Sequence, residues 1–331
     1  MLMCALWIKR FISLKVHYLD TVVNEWNEMK VFVIIVTYKG KQWYDRCFTS
    51  LRESTVPVQA IVVDNASNDG TAEYIREHYP EILLIENKEN LGFGRANNIG
   101  MRYALDHECD YVFLLNQDAW VENDTFEKLV TLHLKHSEYG ILSPIHLNAE
   151  KTGIEKGLIN YLADRRITDK SLFEDLYFGR LKEVYDTRYV NAAAWLLPRK
   201  TLETVGGFDP IFSHYGEDDN YLQRVLYHQM KVGICPLCLV VHDTDRRIVA
   251  VGKKVQTGNA ILLAEIANIS IPLRVNGLCF YHFRKAVSKL MALKMPQAKL
   301  HWKNMCFILK NAKAIKNSRG TNVLSGMNWL T

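Results

Sequence analysis

Residues 214–224 read HYGEDDNYLQR and set Glu217, Asp218 and Asp219 side by side. Adjacent like charges repel, so such a run costs free energy unless its surroundings compensate. Tyr221, Leu222, Val225 and Leu226 fall at i, i+1, i+4 and i+5, the spacing of one apolar helical face. The acids therefore occupy the N-cap and first turn of a helix, where free N–H groups and the helix dipole favour negative charge by roughly 0.3–1 kcal/mol each. Successive helical residues point about 100° apart, so the three cannot share one purpose. One caps, one faces solvent or an orienting partner, and one projects into a cleft; the bland alternative is an ordinary acidic helix start. A second candidate, Cys235 and Cys238 in CPLC, has the spacing of a redox or zinc pair. No second CxxC follows it, and VGICPLCLVVHD is continuous and β-like, so it reads as a strand.

The elements that must position these acids alternate strand and helix. Val31–Val36 is a β-branched run of the kind buried on both faces of a parallel sheet. A helix follows with Trp43, Tyr44, Cys47 and Leu51 on one face, then a strand at 60–64, a turn at 65–70 and a helix through Tyr74, Ile75 and His78. A strand at 81–86, a helix from Arg95 to about Asp106, and a strand at 111–118 complete a four-strand α/β pattern. Residues 151–190 are less regular, and 189–198 reads as a strand leading into the acidic helix. This is a doubly wound α/β domain, in which ligands bind beyond the carboxyl ends of the strands. Polar residues gather at those ends: Thr37 and Tyr38, Asp64 and Asn65, Asn87 and Asn90, and Asn116, Gln117 and Asp118.

With 331 residues, 48% of them apolar, the chain is large enough for a sizeable buried core and is not disordered. Seven cysteines without framework spacing fit a reducing compartment. No apolar stretch reaches the roughly 18–20 residues of a membrane span, and residues 1–13 lack a signal-peptide cleavage site, so a cytoplasmic protein is expected. Residues 1–28 are an N-terminal extension, read either as an amphipathic helix or as an over-extended start ahead of Met29. The net charge of +5 is uneven: from Val249 to Thr331 there are 13 Lys and Arg against one acid, Glu265, which leaves −7 on the rest. A basic tail on an acidic body points to an anionic partner.

The segments VIIVTYKG (33–40), VVDNASNDGT (62–71), NLGFGRANNIG (90–100), LLNQDAW (114–120), NAAAWLLPRKTLETVGGFDP (191–210), HYGEDDNYLQR (214–224) and VVHD (240–243) together resemble a family 2 glycosyltransferase of the GT-A fold, nearest its rhamnosyltransferase-like branch. The resemblance covers roughly residues 30–245. It implies a catalytic domain over 29–245, with a Rossmann-like, mostly parallel sheet, followed by a basic, mainly helical region over 246–331. It also implies a nucleotide-sugar donor, UDP- or dTDP-linked, and a saccharide or lipid-linked acceptor in bacterial surface polysaccharide synthesis.

Carried onto this sequence, Asp64 is the acceptor for the imide N–H of uracil or thymine, Thr37 and Tyr38 flank the base, and Ser67 and Asp69 shape the turn. Asp69 is also expected to be a helix N-cap. Gly92 and Gly94 let backbone N–H groups approach the diphosphate. Read as a dinucleotide fingerprint the same segment fails, because its third glycine, Gly100, comes three positions too late. Asn97 stands where many relatives have arginine, and Arg95 is the nearby substitute. The usual Asp-x-Asp metal motif reads Asn116-Gln117-Asp118, which leaves Asp118 to hold Mn²⁺ or Mg²⁺ while Asn116 and Gln117 reach ribose or sugar. Mg²⁺ commonly takes only one or two protein carboxylates, so the site is weakened and not abolished. His242 matches the place where the fold often adds an imidazole ligand, which Mn²⁺ tolerates better; a structural histidine is the alternative. Asp218 aligns with the catalytic base, Glu217 orients acceptor or base, and Asp219 caps.

Two other readings stay open: a catalytically inactive sugar-nucleotide-binding or scaffold protein, and a sugar nucleotidyltransferase. The second would call for a glycine-rich basic loop with an activating lysine near the first strand, and none is present. The tail from Leu273 to Arg319 interleaves aromatics with Lys and Arg. It suits either peripheral contact with an anionic membrane or a basic cap on the catalytic domain or in a homodimer; nucleic acid is not expected, for want of a recognised module.

Overall fold

The computed structural model describes residues 28–163, 168–169, 171–244 and 253–330. The N-terminal extension, apart from Glu28, and the 245/246 boundary lie outside the described residues. Strands β1 (Val31–Thr37), β2 (Gln59–Asp64), β3 (Leu83–Glu86) and β4 (Tyr111–Asn116) alternate with helices α1 (Lys41–Arg52), α2 (Thr71–His78) and α3 (Phe93–Asp106). The β-branched run of β1 alternates its side chains between two cores. Phe32 and Ile34 join the layer containing α3, while Val31, Val33 and Ile35 join the layer containing α1.

Downstream come β5 (Ala119–Val121), α4 (Thr125–Lys135), β6 (Tyr139–Leu147), α5 (Lys156–Ala163), α6 (Leu172–Tyr177), β7 (Tyr185–Asp186), β8 (Ala194–Pro198), α7 (Arg199–Val205), α8 (Glu217–Tyr227) and β9 (Lys231–His242). The sheet order is β3-β2-β1-β4-β8-β6-β9-β5, with β7 also paired to β9. The first four strands are mutually parallel, β8 runs antiparallel to β4, and β6 pairs parallel with β9. The strand order reverses between β1 and β4, and a crevice at such a switch point is where open α/β sheets bind ligands. Cys235 and Cys238 are buried in β9 as free thiols, and burial raises the Cys235 thiol well above the ordinary range.

Four boundaries differ from the sequence reading by two residues or more, the first being β3, expected from residue 81, which begins at Leu83 after Ile82 N–H bonds Tyr79 O in a turn. Strand β4 stops at Asn116, not 118, because Gln117 and Asp118 turn the chain into β5, where the Asp118 carbonyl accepts from Asp243 N–H at 2.9 Å. Helix α3 starts two residues early, behind Gly92 in a positive-φ conformation (φ 82°). Strand β8 starts at Ala194, not Tyr189, because Tyr189 N–H bonds the Thr187 hydroxyl in a local turn.

The basic region forms α9 (Lys253–Ala267), α10 (Val275–Met291) and α11 (Met295–Asn322). Its far end is stitched to the preceding domain. Asp209 Oδ2 accepts from Ser318 Oγ at 2.5 Å and from Asn322 Nδ2 at 2.7 Å. Gly207 N–H bonds Asn328 O, Asn98 Nδ2 bonds Trp329 O, and Leu330 enters the α3-side core. Phe212 joins Leu263, Ile308 and Ile315 in a separate small cluster.

Candidate active site

At the carboxyl end of the sheet, Asp64 is buried at the tip of β2. Its Oδ1 accepts from the Thr37 hydroxyl at 2.8 Å and its Oδ2 from Ser67 N–H at 2.8 Å. A carboxylate has about four lone-pair sites, so two bonds hold this one while capacity remains for a ligand donor. The Tyr38 backbone is clamped from the β4–β5 turn: Gln117 Oε1 accepts from Tyr38 N–H at 2.8 Å and Gln117 Nε2 donates to Tyr38 O at 3.2 Å. Gly40 is what permits this, since a Cβ there would lie 2.4 Å from Gln117 Oε1. Lys39 N–H donates to Ser67 Oγ at 3.0 Å, so the loops after β1 and β2 are cross-braced. Half-exposed Tyr38 is left with its ring at the rim.

The third loop is pinned by Asn65, whose Nδ2 donates to Gly92 O at 3.1 Å and whose Oδ1 accepts from Asn87 Nδ2 at 2.9 Å. Gly92 and Gly94 have a closer reason to be glycine than a ligand. A Cβ on Gly92 would lie 2.5 Å from Ser213 O, and one on Gly94 would lie 2.9 Å from the Phe208 side chain and 3.7 Å from Glu217. They let the start of α3 pack against the segment that delivers the acidic helix. Asn97 is buried and donates to Phe93 O one turn back, and Arg95 donates to Pro210 O. Asp69 does not cap α2: Gly70, in the left-handed region, occupies that position, and Asp69 accepts from the Thr71 hydroxyl at 2.6 Å.

The acidic run occupies the first turn of α8, not its N-cap. Gly216, with φ 88°, takes that place without a side-chain cap, so Asp219 is not the capping group. Asp218 accepts from the Tyr189 hydroxyl at 2.8 Å and from Asp219 N–H at 2.9 Å. Tyr161 packs edge-on against the Tyr189 ring. Burial, then the neighbouring Asp218 charge, push Tyr189 far above the ordinary phenol range, so it stays a proton donor to that carboxylate. Glu217 is buried, and burial followed by the Asp218 charge raise its carboxyl to about 7. Fully buried Arg224 fixes the helix from behind, donating to Val205 O at 2.9 Å and Gly207 O at 2.5 Å.

Asp118 and His242 meet between β4 and the end of β9. Asp118 Oδ1 lies 3.5 Å from His242 Nε2, and both residues are buried. Asn116 Nδ2 lies 3.4 Å from the same nitrogen. Ligand atoms of His242, His146 and Glu155 also lie within 4.8 Å of one another. Burial, then the proximity of His242, hold the His146 imidazole neutral, with its pKa lowered to about 3, and no partner is found for its Nδ1 among the described residues. Glu155 has a structural duty as well, accepting from the N–H groups of Gly157 and Leu158 at the start of α5. A carboxylate beside an imidazole can hold a divalent ion, and Mn²⁺ tolerates the nitrogen ligand better than Mg²⁺. His146 and Glu155 were missed in the sequence because nothing near them in the chain announces a site; the in-register pairing of His146 with Val240 brings them to β9.

Residues 32–195 match the sequence profile of glycosyl transferase family 2. The chain is 23% identical over 217 residues to the low-salt glycan biosynthesis hexosyltransferase Agl10 of Haloferax volcanii, covering 64% of this chain and 66% of that protein. It is 23% identical over 268 residues to the dTDP-rhamnosyl transferase RfbF of Shigella flexneri, covering 80% and 81%. The O-antigen chain rhamnosyltransferase WbaN of Salmonella anatum is 25% identical over 221 residues, covering 65% and 67%. Among solved structures, S. aureus TarS bound to UDP superposes with a TM-score of 0.51 at 14% identity, covering 74% of this chain and 67% of that one. GalNAc-T7 with UDP, GalNAc and Mn²⁺ gives 0.52 at 16% identity, covering 72% and 48%. At those identities the structures establish the fold, which is GT-A, and the family match identifies the segment it covers: residues 32–195 are a glycosyltransferase family 2 domain, and rhamnosyltransferases are among the relatives of the chain.

Proposed function

We propose that the chain transfers a sugar from a UDP- or dTDP-linked donor to a saccharide or lipid-linked acceptor in surface polysaccharide synthesis, with inversion at the anomeric carbon. The observation that carries this reading is the Tyr189-held Asp218 on a helix packed against α3, the helix that begins beside the Asp64 loop. Asp64 takes the base imide proton as a hydrogen bond, and the braced loop of residues 37–40 lines the base. Asp218 accepts the proton of the acceptor hydroxyl as that oxygen bonds to the anomeric carbon. The bond from that carbon to the diphosphate oxygen breaks, and its electron pair leaves with the nucleoside diphosphate. Tyr189 keeps the Asp218 carboxylate aimed, and Glu217 supplies a neutral or singly charged neighbour according to pH.

Asp118 and His242 are the residues we assign to a divalent ion, with ligand atoms of His146 and Glu155 within 4.8 Å of one on His242. Such an ion, when bound, offsets the charge that builds on the leaving diphosphate. The two rhamnosyltransferase relatives favour rhamnose as the sugar, and the first of them favours dTDP as its carrier. A thermal-shift panel of UDP, dTDP, GDP and NAD, each with Mn²⁺, Mg²⁺ or EDTA, tests the reading. A ligand at 100 times its Kd stabilises by about 2.7 kcal/mol, about 4 °C for a chain of this length. A metal-dependent shift confined to UDP or dTDP is expected. The same shift with NAD or GDP, or none with any nucleotide, would overturn it.

A further inference from the structure

Helix α10 carries two apolar strips, and among the described residues only one is covered. Val275, His282 and Ala286 are buried in a seam against α11, where His282 Nδ1 lies 3.0 Å from His301 Nδ1. Phe280, Phe283, Val287, Leu290 and Met291 are all exposed. They fall at i, i+3, i+7, i+10 and i+11, a stripe about 100° wide whose centre is about 110° around the helix from the seam, beginning next to buried Ala286. The stripe runs into the turn joining α10 to α11, where Met291 is 82% and Leu293 85% exposed and Met295 follows. Along α11, Trp302 and Leu309 are exposed as well. Scattered apolar residues on a surface are ordinary; a contiguous helical stripe ending in a bare apolar tip is the pattern of an interaction site.

The charge around this surface identifies what it meets. Arg284 borders the stripe and Lys294 sits in the tip, Lys285, Lys289, Lys299 and Lys303 add to the positive charge of the hairpin, and after Glu265 the chain contains no Asp or Glu. A second copy of the same surface would bring two wholly basic faces together without a compensating acid. A flat anionic bilayer supplies both complements, acyl chains for the stripe and headgroups for the ammonium groups. No helix among the described residues is long and apolar enough to cross a membrane, so the contact is one of lying on it. The hairpin is also held firmly for this task. Helix α11 is 28 residues long, about 42 Å, and its far end is fixed to the catalytic domain through Asp209, Ser318 and Asn322. Arg319 ties the same end to the carbonyls of Ile266, Asn268 and Ile271.

We propose that the exposed stripe of α10 and the 291–295 tip form a peripheral docking surface for anionic phospholipid, with the apolar side chains entering the headgroup region, Arg284 and Lys294 at the phosphates, and the remaining Lys and Arg of the hairpin contributing long-range attraction. The surface lies outside the catalytic assignment, so its failure would leave that assignment untouched. The test is sedimentation of the full chain with phosphatidylglycerol–phosphatidylcholine vesicles and with phosphatidylcholine alone, at 0.1 and 0.5 M NaCl. Binding is expected to be at least tenfold tighter to the anionic vesicles and weaker at high salt. Two variants, F283E/L290E and L293E, place charges on positions already exposed. Each is expected to lose at least tenfold in vesicle binding while keeping the wild-type melting temperature and nucleotide-induced shift. Wild-type protein left in the supernatant with anionic vesicles, or variants that sediment as it does, would overturn the proposal. So would a wild-type dimer that F283E/L290E converts to monomer, which would assign the stripe to a second copy.

Discussion

Replacing Glu217 with glutamine isolates the cost of the crowded acids. The side chain is 7% exposed, and no hydrogen-bond partner is found for its Oε2 among the described residues. Burial, then the Asp218 charge, raise its pKa from 4.5 to about 7. A raised acid pKa costs nothing while the group is protonated in both states. Stability is therefore fully present below pH 4.5, is lost as pH climbs through 7, and carries the full penalty above it. At 1.36 kcal/mol per pH unit, the difference amounts to about 3 kcal/mol. Glutamine keeps the shape without the charge, so E217Q should gain under about 1 kcal/mol at pH 5 and about 3 kcal/mol at pH 8.5. For a chain of this length the larger figure is about 4 °C in melting temperature. Calorimetry of both proteins across pH 5–9 reads it directly. A stability difference that does not change with pH, or an E217Q variant less stable than wild type at pH 8.5, would refute the reasoning.

Tyr189→Phe removes the hydroxyl that holds Asp218 at 2.8 Å. A hydrogen bond to a charged group is worth roughly 1.5–3 kcal/mol, so kcat should fall about 10- to 100-fold with little change in donor KM; an equal rise in KM with kcat unchanged would contradict the positioning role. Gly206→Ala places a Cβ 2.1 Å from Asn328 O at a residue with φ 80°. It should destabilise by roughly 2 kcal/mol or more and release the C-terminal residues to proteolysis, and wild-type melting with an intact C-terminus would contradict the stitched arrangement. Asp118→Asn should weaken the Mn²⁺-dependent part of nucleotide binding and spare the metal-independent part, read by calorimetric titration with and without EDTA.

The parallel half of the sheet was legible because β-branched runs such as Val31–Val36 admit few other environments, and the strand tips carried polar residues where such sheets bind ligands. The acids at 217–219 were legible as a helix start, but not which residue caps it. A side-chain cap and a left-handed glycine satisfy the same orphan N–H groups, and Gly216 does so here. The glycines of NLGFG read as ligand-facing, yet Gly92 and Gly94 are pressed by Ser213 and Phe208, residues more than a hundred positions away. His146, Glu155 and Tyr189 escaped notice for the same reason. Each meets its partner through strand pairing or packing between distant segments, and no local periodicity encodes that. The two-sided α10 shows in the pattern only once α11 reveals which side is already covered.

The most direct test of the account is Asp218→Asn, assayed for donor binding and for transfer. Asparagine keeps the size of the side chain and can still accept from Tyr189, but it cannot take a proton from the acceptor hydroxyl. Titration with the nucleotide sugar found to bind the wild type should give a Kd within about threefold of wild type. Release of nucleoside diphosphate in the presence of acceptor should fall by about 10²–10⁴-fold, the usual cost of losing a general base. Wild-type turnover by D218N would contradict the assignment of the base and return the carboxylates of α8 to the role of an ordinary acidic helix start.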